Sequence, residues 1–167
     1  MTRVRTIAGF LARYTPEIAG QLREARKHLA KHFPRGFELV YDNYNALVFA
    51  YAPTERASDA ILSIAGYPRW VTLFFAKGAT LDDPSHVLEG SGAQFRSVRL
   101  QPPARLREAA VQKLICDAKV AASRRLQAAP TLTTIVKSTS AKQRARRPAG
   151  AKSVVATRPV RKVSRRA

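Results

Sequence analysis

The runs ALVFAYA, residues 46–52, and WVTLFFA, residues 70–76, are apolar on both faces of an extended chain. In the first, Leu47, Phe49 and Tyr51 oppose Val48 and Ala50. A strand with two apolar faces must be covered on both, so these two belong inside a sheet, with helices on one face and aromatic or aliphatic partners on the other. Further runs with a period of two give strands over 37–42, 46–52, 60–67, 70–77 and 95–100. FRSVRL, residues 95–100, sets Arg96 and Val98 against Ser97 and Arg99, and its exposed charges suit an edge.

Helices flank this strand region. Thr15 can accept an orphan backbone N–H and Pro16 suits the first helical position, so a helix starts there. Ile18, Leu22, Ala25, Leu29 and Phe33 recur at steps of three and four, and Pro34 and Gly36 end the stripe. A shorter helix over about residues 6 to 13 carries Ile7, Phe10 and Leu11. Pro102-Pro103 opens a second long helix with Leu106, Ala110, Val111, Leu114, Ile115 and Ala118 on its apolar face, fading near Leu126. The expected fold is α+β: about five antiparallel strands flanked by an N-terminal and a C-terminal helix.

Charge divides the chain at about residue 127. The whole protein holds 30 Lys and Arg against 11 Asp and Glu over 167 residues, yet residues 128–167 carry 11 of those cations and no acid. That segment is mostly Ala, Ser, Thr, Pro, Lys and Arg, without an aromatic residue. It buries too little apolar surface to offset roughly 1–2 kcal/mol per residue of backbone ordering entropy, which predicts a folded domain over 1–127 and a disordered basic tail over 128–167. The tail includes TLTTIVK, residues 131–137.

Such asymmetry favours a polyanionic partner. AKQRARRPAGAK and RPVRKVSRR resemble linker-histone-like tails in composition, and Lys142, Arg144, Arg146, Arg147, Lys152, Arg158, Arg161, Lys162, Arg165 and Arg166 are the candidate nucleic-acid-binding residues. With no aromatic in the tail to stack on bases, binding there is expected to be electrostatic and nearly blind to sequence. On the folded part, Arg96, Arg99 and Tyr67 are the first residues to test. The single cysteine, Cys116, and the lack of an apolar leader after Met1 suggest a cytosolic protein, nucleoid-associated if DNA is the partner. No run approaches the roughly 20 apolar residues of a spanning helix, so integral membrane association is not expected.

The quoted strands, as ELVYDNYNALVFAYAP, AILSIAGYPRWVTLFF and GAQFRSVRLQPPARL, resemble the YdhG-like domain of unknown function over roughly residues 7 to 122. The resemblance implies the same helix, sheet, helix order. Relatives of that fold have been likened to frataxin-type iron chaperones, which gather acids for iron. Here Glu17 and Glu24 share their helix with Arg23, Arg26, Lys27 and Lys31, so likeness of fold does not imply iron binding.

Sequence patterns for chemistry are sparse. His28 and His32 share one helix face at metal-ligand spacing, but Lys27 and Lys31 flank them and would repel a cation. Asp82, Asp83, His86 and Glu89 read as one short surface helix, DPSHVLEG, capped by Asp83, started by Pro84 and stopped by Gly90. Neither Cys116 nor Ser58, Ser63, Ser91 or Ser97 carries a nucleophile motif, and Gly90-Ser91-Gly92 is too short for a phosphate loop. The chain is therefore expected to have no catalytic residue, no metal and no cofactor. Asp42, Asn43, Tyr44 and Asn45 mark a turn between strands. Tyr41, Tyr51, Tyr67 and Trp70 are candidates to line a pocket, which supports an alternative reading as a small-ligand or metal-handling domain whose tail adjusts solubility.

Overall fold

A computed structural model describes residues 6–150. Helices α1 (Ile7–Leu11) and α2 (Pro16–His32) lead into strands β1 (Phe37–Asp42), β2 (Leu47–Ala52), β3 (Leu62–Gly66), β4 (Val71–Phe75) and β5 (Arg96–Arg99). Helices α3 (Ala109–Ala121) and α4 (Ser123–Ala128) follow, and then strand β6 (Thr133–Thr139). The fold is α+β, with strand order β5-β4-β3-β2-β1-β6.

The expected starts hold where a side chain caps the backbone. The Thr6 hydroxyl accepts from the Gly9 N–H at 3.1 Å and opens α1. The Thr15 hydroxyl accepts from Ile18 at 3.4 Å, with Pro16 in the first turn of α2. Gly36, at φ +109°, turns the chain into β1 where an added Cβ would lie 2.5 Å from the Ala52 carbonyl oxygen, so glycine is needed twice over.

The helices cover one sheet face. Ile18, Leu22, Ala25 and Leu29 of α2 and Val111, Leu114 and Ile115 of α3 pack on Val40, Leu47, Phe49, Tyr51, Leu62, Ile64, Leu73, Phe75 and Val98. At Gly66 a Cβ would stand 2.6 Å from Leu22 Cδ1, so the missing side chain lets α2 lie close over the end of β3. On the opposite face Leu39, Ala50 and Ala52 are screened by Phe37, Tyr41, Ala60 and Ile135. As expected, β2 and β4 are internal and β5 is an edge.

The five expected antiparallel strands are present, and three finer expectations need correction. The sheet has six strands and is mixed, because β6 pairs parallel to β1, Phe37 opposite Thr133 through Asp42 opposite Thr139, with a register shift at Val40/Tyr41. Residues 128–150 therefore belong to the folded unit and not to a disordered tail starting at 128. The segment needs no apolar stripe of its own because β1 offers it a row of unpaired backbone groups, and Thr134 also donates to the buried Glu38 at 3.0 Å. Residues 1–5 and 151–167 lie outside the described residues, and with them Lys152, Arg158, Arg161, Lys162, Arg165 and Arg166.

The second long helix does not begin at Pro102-Pro103. Pro103–Arg107 is one 3-10 stretch, held to β5 by an Arg105 hydrogen bond to the Arg99 carbonyl at 3.0 Å. Glu108 is extended, so α3 begins only at Ala109, and a break at Ala122 separates it from α4. DPSHVLEG does not form a helix either. The Asp83 carboxylate accepts from Val87 at 3.1 Å and Leu88 at 2.9 Å, His86 turns left-handed at φ 51°, and Glu89 pairs with Ser97 as an isolated bridge. An acid that takes two N–H groups in this way competes with helix formation.

Candidate nucleic-acid interface

Both hairpin turns and the C-terminal ends of both edge strands lie at one end of the sheet. Leu47 pairs with Gly66, which puts the β1–β2 turn beside the β3–β4 turn. Arg99 of β5 pairs with Thr72 at that end, and Thr139 of β6 pairs with Asp42. Each turn is closed by a backbone bond, Asn43 N–H to Ala46 O and Tyr67 N–H to Trp70 O, both 2.9 Å. The expected turn over Asp42 to Asn45 is thus present.

Asp42 does more than end a strand. It is fully buried, and its two carboxylate oxygens accept from Arg13 at 2.6 Å and from Arg146 at 3.1 Å, with the Gln143 amide donating as well. Arg146 also donates to the carbonyls of Asn43 and Tyr44 and lies 5.7 Å from the Tyr14 ring centroid. Arg147 donates to the carbonyls of Tyr14 at 3.1 Å and Ala12 at 3.2 Å. Tyr14 is itself sunk in the core, donating to Gly66 O at 2.7 Å and accepting from Leu47 N–H at 3.1 Å, and burial raises its phenol pKa. Residues 140–147 are thereby fastened to the β1–β2 turn and to the link between α1 and α2.

This corrects the list of phosphate-binding candidates. Arg146 is 4% exposed and paired with a carboxylate, so it holds the fold and is withdrawn from solvent. Arg147 is half-buried and committed to two carbonyls. Lys142 and Arg144 are exposed, and among the described residues their side chains make no hydrogen bond or ion pair. The same holds for Arg69 in the β3–β4 turn. Arg96 is occupied differently, its guanidinium donating to Gly92 O at 2.5 Å and Phe95 O at 2.7 Å.

The fastened segment and the β3–β4 turn enclose a groove of about 490 Å³. Tyr67, Pro68, Arg69 and Trp70 form one wall, Arg144, Ala145, Arg147, Pro148 and Ala149 the other, and Asn45 one end. No carboxylate among the described residues lines it. The Tyr67 and Trp70 rings lie 5.5 Å apart and 31° from parallel, and the Arg99 guanidinium stacks 4.3 Å above Trp70.

The four candidate pocket aromatics do not come together. Tyr67 and Trp70 share this groove, whereas Tyr51 faces the helices and Tyr41, on the opposite face, buries a hydroxyl without a hydrogen-bond partner among the described residues. The β1–β2 register separates them: Tyr41 pairs with Val48, which puts Tyr51 on the other side. Tyr51 instead donates to Glu38 at 2.8 Å, and Arg26 grips the same carboxylate at 2.5 and 3.0 Å. Burial, with the Glu38 charge behind it, raises the Tyr51 pKa strongly. The sequence reading missed Glu38 and Tyr14; an acid between Phe37 and Leu39 in a covered strand was the available signal for the first.

His28 and His32 both face the Gln112 side-chain oxygen, at 3.0 and 3.1 Å. Among the described residues no three or more His, Cys, Asp or Glu gather as a metal site. Burial lowers the His32 pKa from 6.5, with His28 and Lys119 adding repulsion against the Gln112 hydrogen bond. An unfolded chain then takes up this proton before the folded one does, so His32 removes stability as pH falls through the ordinary histidine range. Melting temperatures measured from about pH 7.5 to about pH 5 should decline, and His32→Gln should make that decline shallower.

No helix among the described residues is long and apolar enough to cross a membrane. Compared with protein-family models, curated proteins and solved structures, the chain matches none.

Proposed function

We propose that this is a non-enzymatic nucleic-acid-binding protein that grips phosphates through the arginine-rich end of its sheet and the cations that follow in the chain. The observation carrying this reading is that Arg69 and Arg144, whose side chains have no partner among the described residues, both line a groove with no described carboxylate in its wall. A guanidinium that finds no internal partner beside other cations gains most from an external anion, and a polyphosphate chain supplies many. The formal charge of +19 draws such a partner from a distance.

Salt titration tests the proposal. If about six phosphates are engaged on duplex DNA, log affinity should fall against log salt with a slope near about −5, at roughly −0.9 per contact. Replacing Arg69, Arg144, Arg165 and Arg166 by Gln should flatten that slope and leave thermal melting unchanged. Arg146 is excluded from the set because its loss would unpair Asp42. Binding that ignores both salt and these replacements would sink the electrostatic reading.

A further inference from the structure

We infer that the groove between the β3–β4 turn and residues 144–149 receives an unpaired nucleobase, so that single-stranded nucleic acid is bound in preference to duplex. The inference rests on the nucleic-acid reading above and adds to it the part of the polymer that is recognised.

The tail itself has nothing to stack on a base, but its path brings it to residues that do. Tyr67 and Trp70 bracket the two-residue turn Pro68-Arg69 and form an aromatic pair at its base. They are half-buried in the groove wall, and Arg99 covers one side of the indole. Beside Arg144 and Arg147, the facing wall is Ala145, Pro148 and Ala149, short and apolar, so a flat ring can lie against these three without stranding a polar group. A volume of about 490 Å³ falls inside the range of about 300–1,000 Å³ for small-ligand clefts.

Polar groups stand where a nucleotide would need them. Arg69 and Arg144 flank the slot on opposite walls, placed for the phosphates on either side of a base. Asn45, exposed at the end, makes no side-chain hydrogen bond among the described residues, and its amide offers both a donor and an acceptor to a base edge. A duplex hides its base faces in the stack, so aromatic rings set back in a groove reach only unpaired bases. Charge alone would favour the duplex, which carries more phosphate along its axis, and would make no use of the rings.

Trp70 is the only tryptophan, so its emission reports on the groove directly. The test compares a short oligothymidylate, an abasic oligonucleotide of equal length and phosphate count, and a duplex of that length, each titrated into the full chain at low salt. Oligothymidylate should quench Trp70 and bind about 10-fold more tightly than the abasic strand, as expected for one stacked base. Tyr67→Ala should erase most of that advantage without weakening the abasic strand. Asn45→Ala, on an exposed turn that tolerates the change, should reduce it in the same direction. Equal binding of thymidylate and abasic strands with unchanged emission would overturn the stacking inference and leave the phosphate reading standing. Unchanged selectivity in both variants would overturn it too. Failure of all three probes to bind at low salt would remove both readings together.

Discussion

Asp42→Ala is expected to lower folding stability by about 3–5 kcal/mol, the cost of leaving a buried charge without its partner. Arg146 and Asp42 expose only 2% and 1% of their side chains, so neither can recover hydration when the other is removed. Arg13, at 35% exposure, turns to water and adds little to the loss. The damage should also be local. Arg146 and Gln143 fasten residues 140–147 by way of this carboxylate, so trypsin should cut after Arg144 and Arg146 faster in the variant while residues 7–122 still resist. Urea unfolding and timed proteolysis measure the two effects. A loss below about 1 kcal/mol with unchanged cleavage would put Asp42 among ordinary surface pairs.

Phe49→Ala should cost about 3–5 kcal/mol, as deletion of a buried ring does when its surroundings cannot collapse. Phe49 is fully buried on the helix-covered face of an internal strand. It also carries the Arg26 guanidinium 4.5 Å above its ring, and Arg26 in turn neutralises the buried Glu38. Removing the ring thus opens a cavity and loosens an ion pair at once. Arg99→Ala, at the exposed edge strand, should leave unfolding nearly unaltered. Equal small losses at both positions would contradict the packing described here.

Where the chain writes a repeat within one segment, the sequence reading and the fold agree. Thr15-Pro16 and the stripe from Ile18 to Leu29 specify α2 because capping and periodicity act over a few residues. Strands β2 and β4 were legible as internal because both faces of each run are apolar. β6 was not, since its place comes from the open edge of β1 and not from any stripe in Thr133–Thr139. Arg146 reads like its neighbours Arg144 and Arg147, and only a carboxylate 104 positions earlier sets it apart. Asp42 was assigned to a turn on local grounds, which hid its burial. The separation of Tyr41 from Tyr51 could have been found by counting alternation across the hairpin once its turn was fixed. The groove depended on pairings among β1, β2, β3 and β6, which no single stretch contains.

The parallel pairing of β6 with β1 also bears on synthesis. β1 to β5 can form their antiparallel ladder once about residue 100 has emerged from the ribosome, because each pairs with a strand made just before or after it. The outer edge of β1 then stays uncovered until Thr133–Thr139 follows, and Asp42 waits longer still for Arg146. During that interval the nascent chain presents an open strand edge beside a buried acid held only by Arg13. Open edges are where partly made chains pair with one another. A ribosome stalled between residues 100 and 130 would therefore display an open β1 edge to neighbouring chains, and release of the last strand closes it.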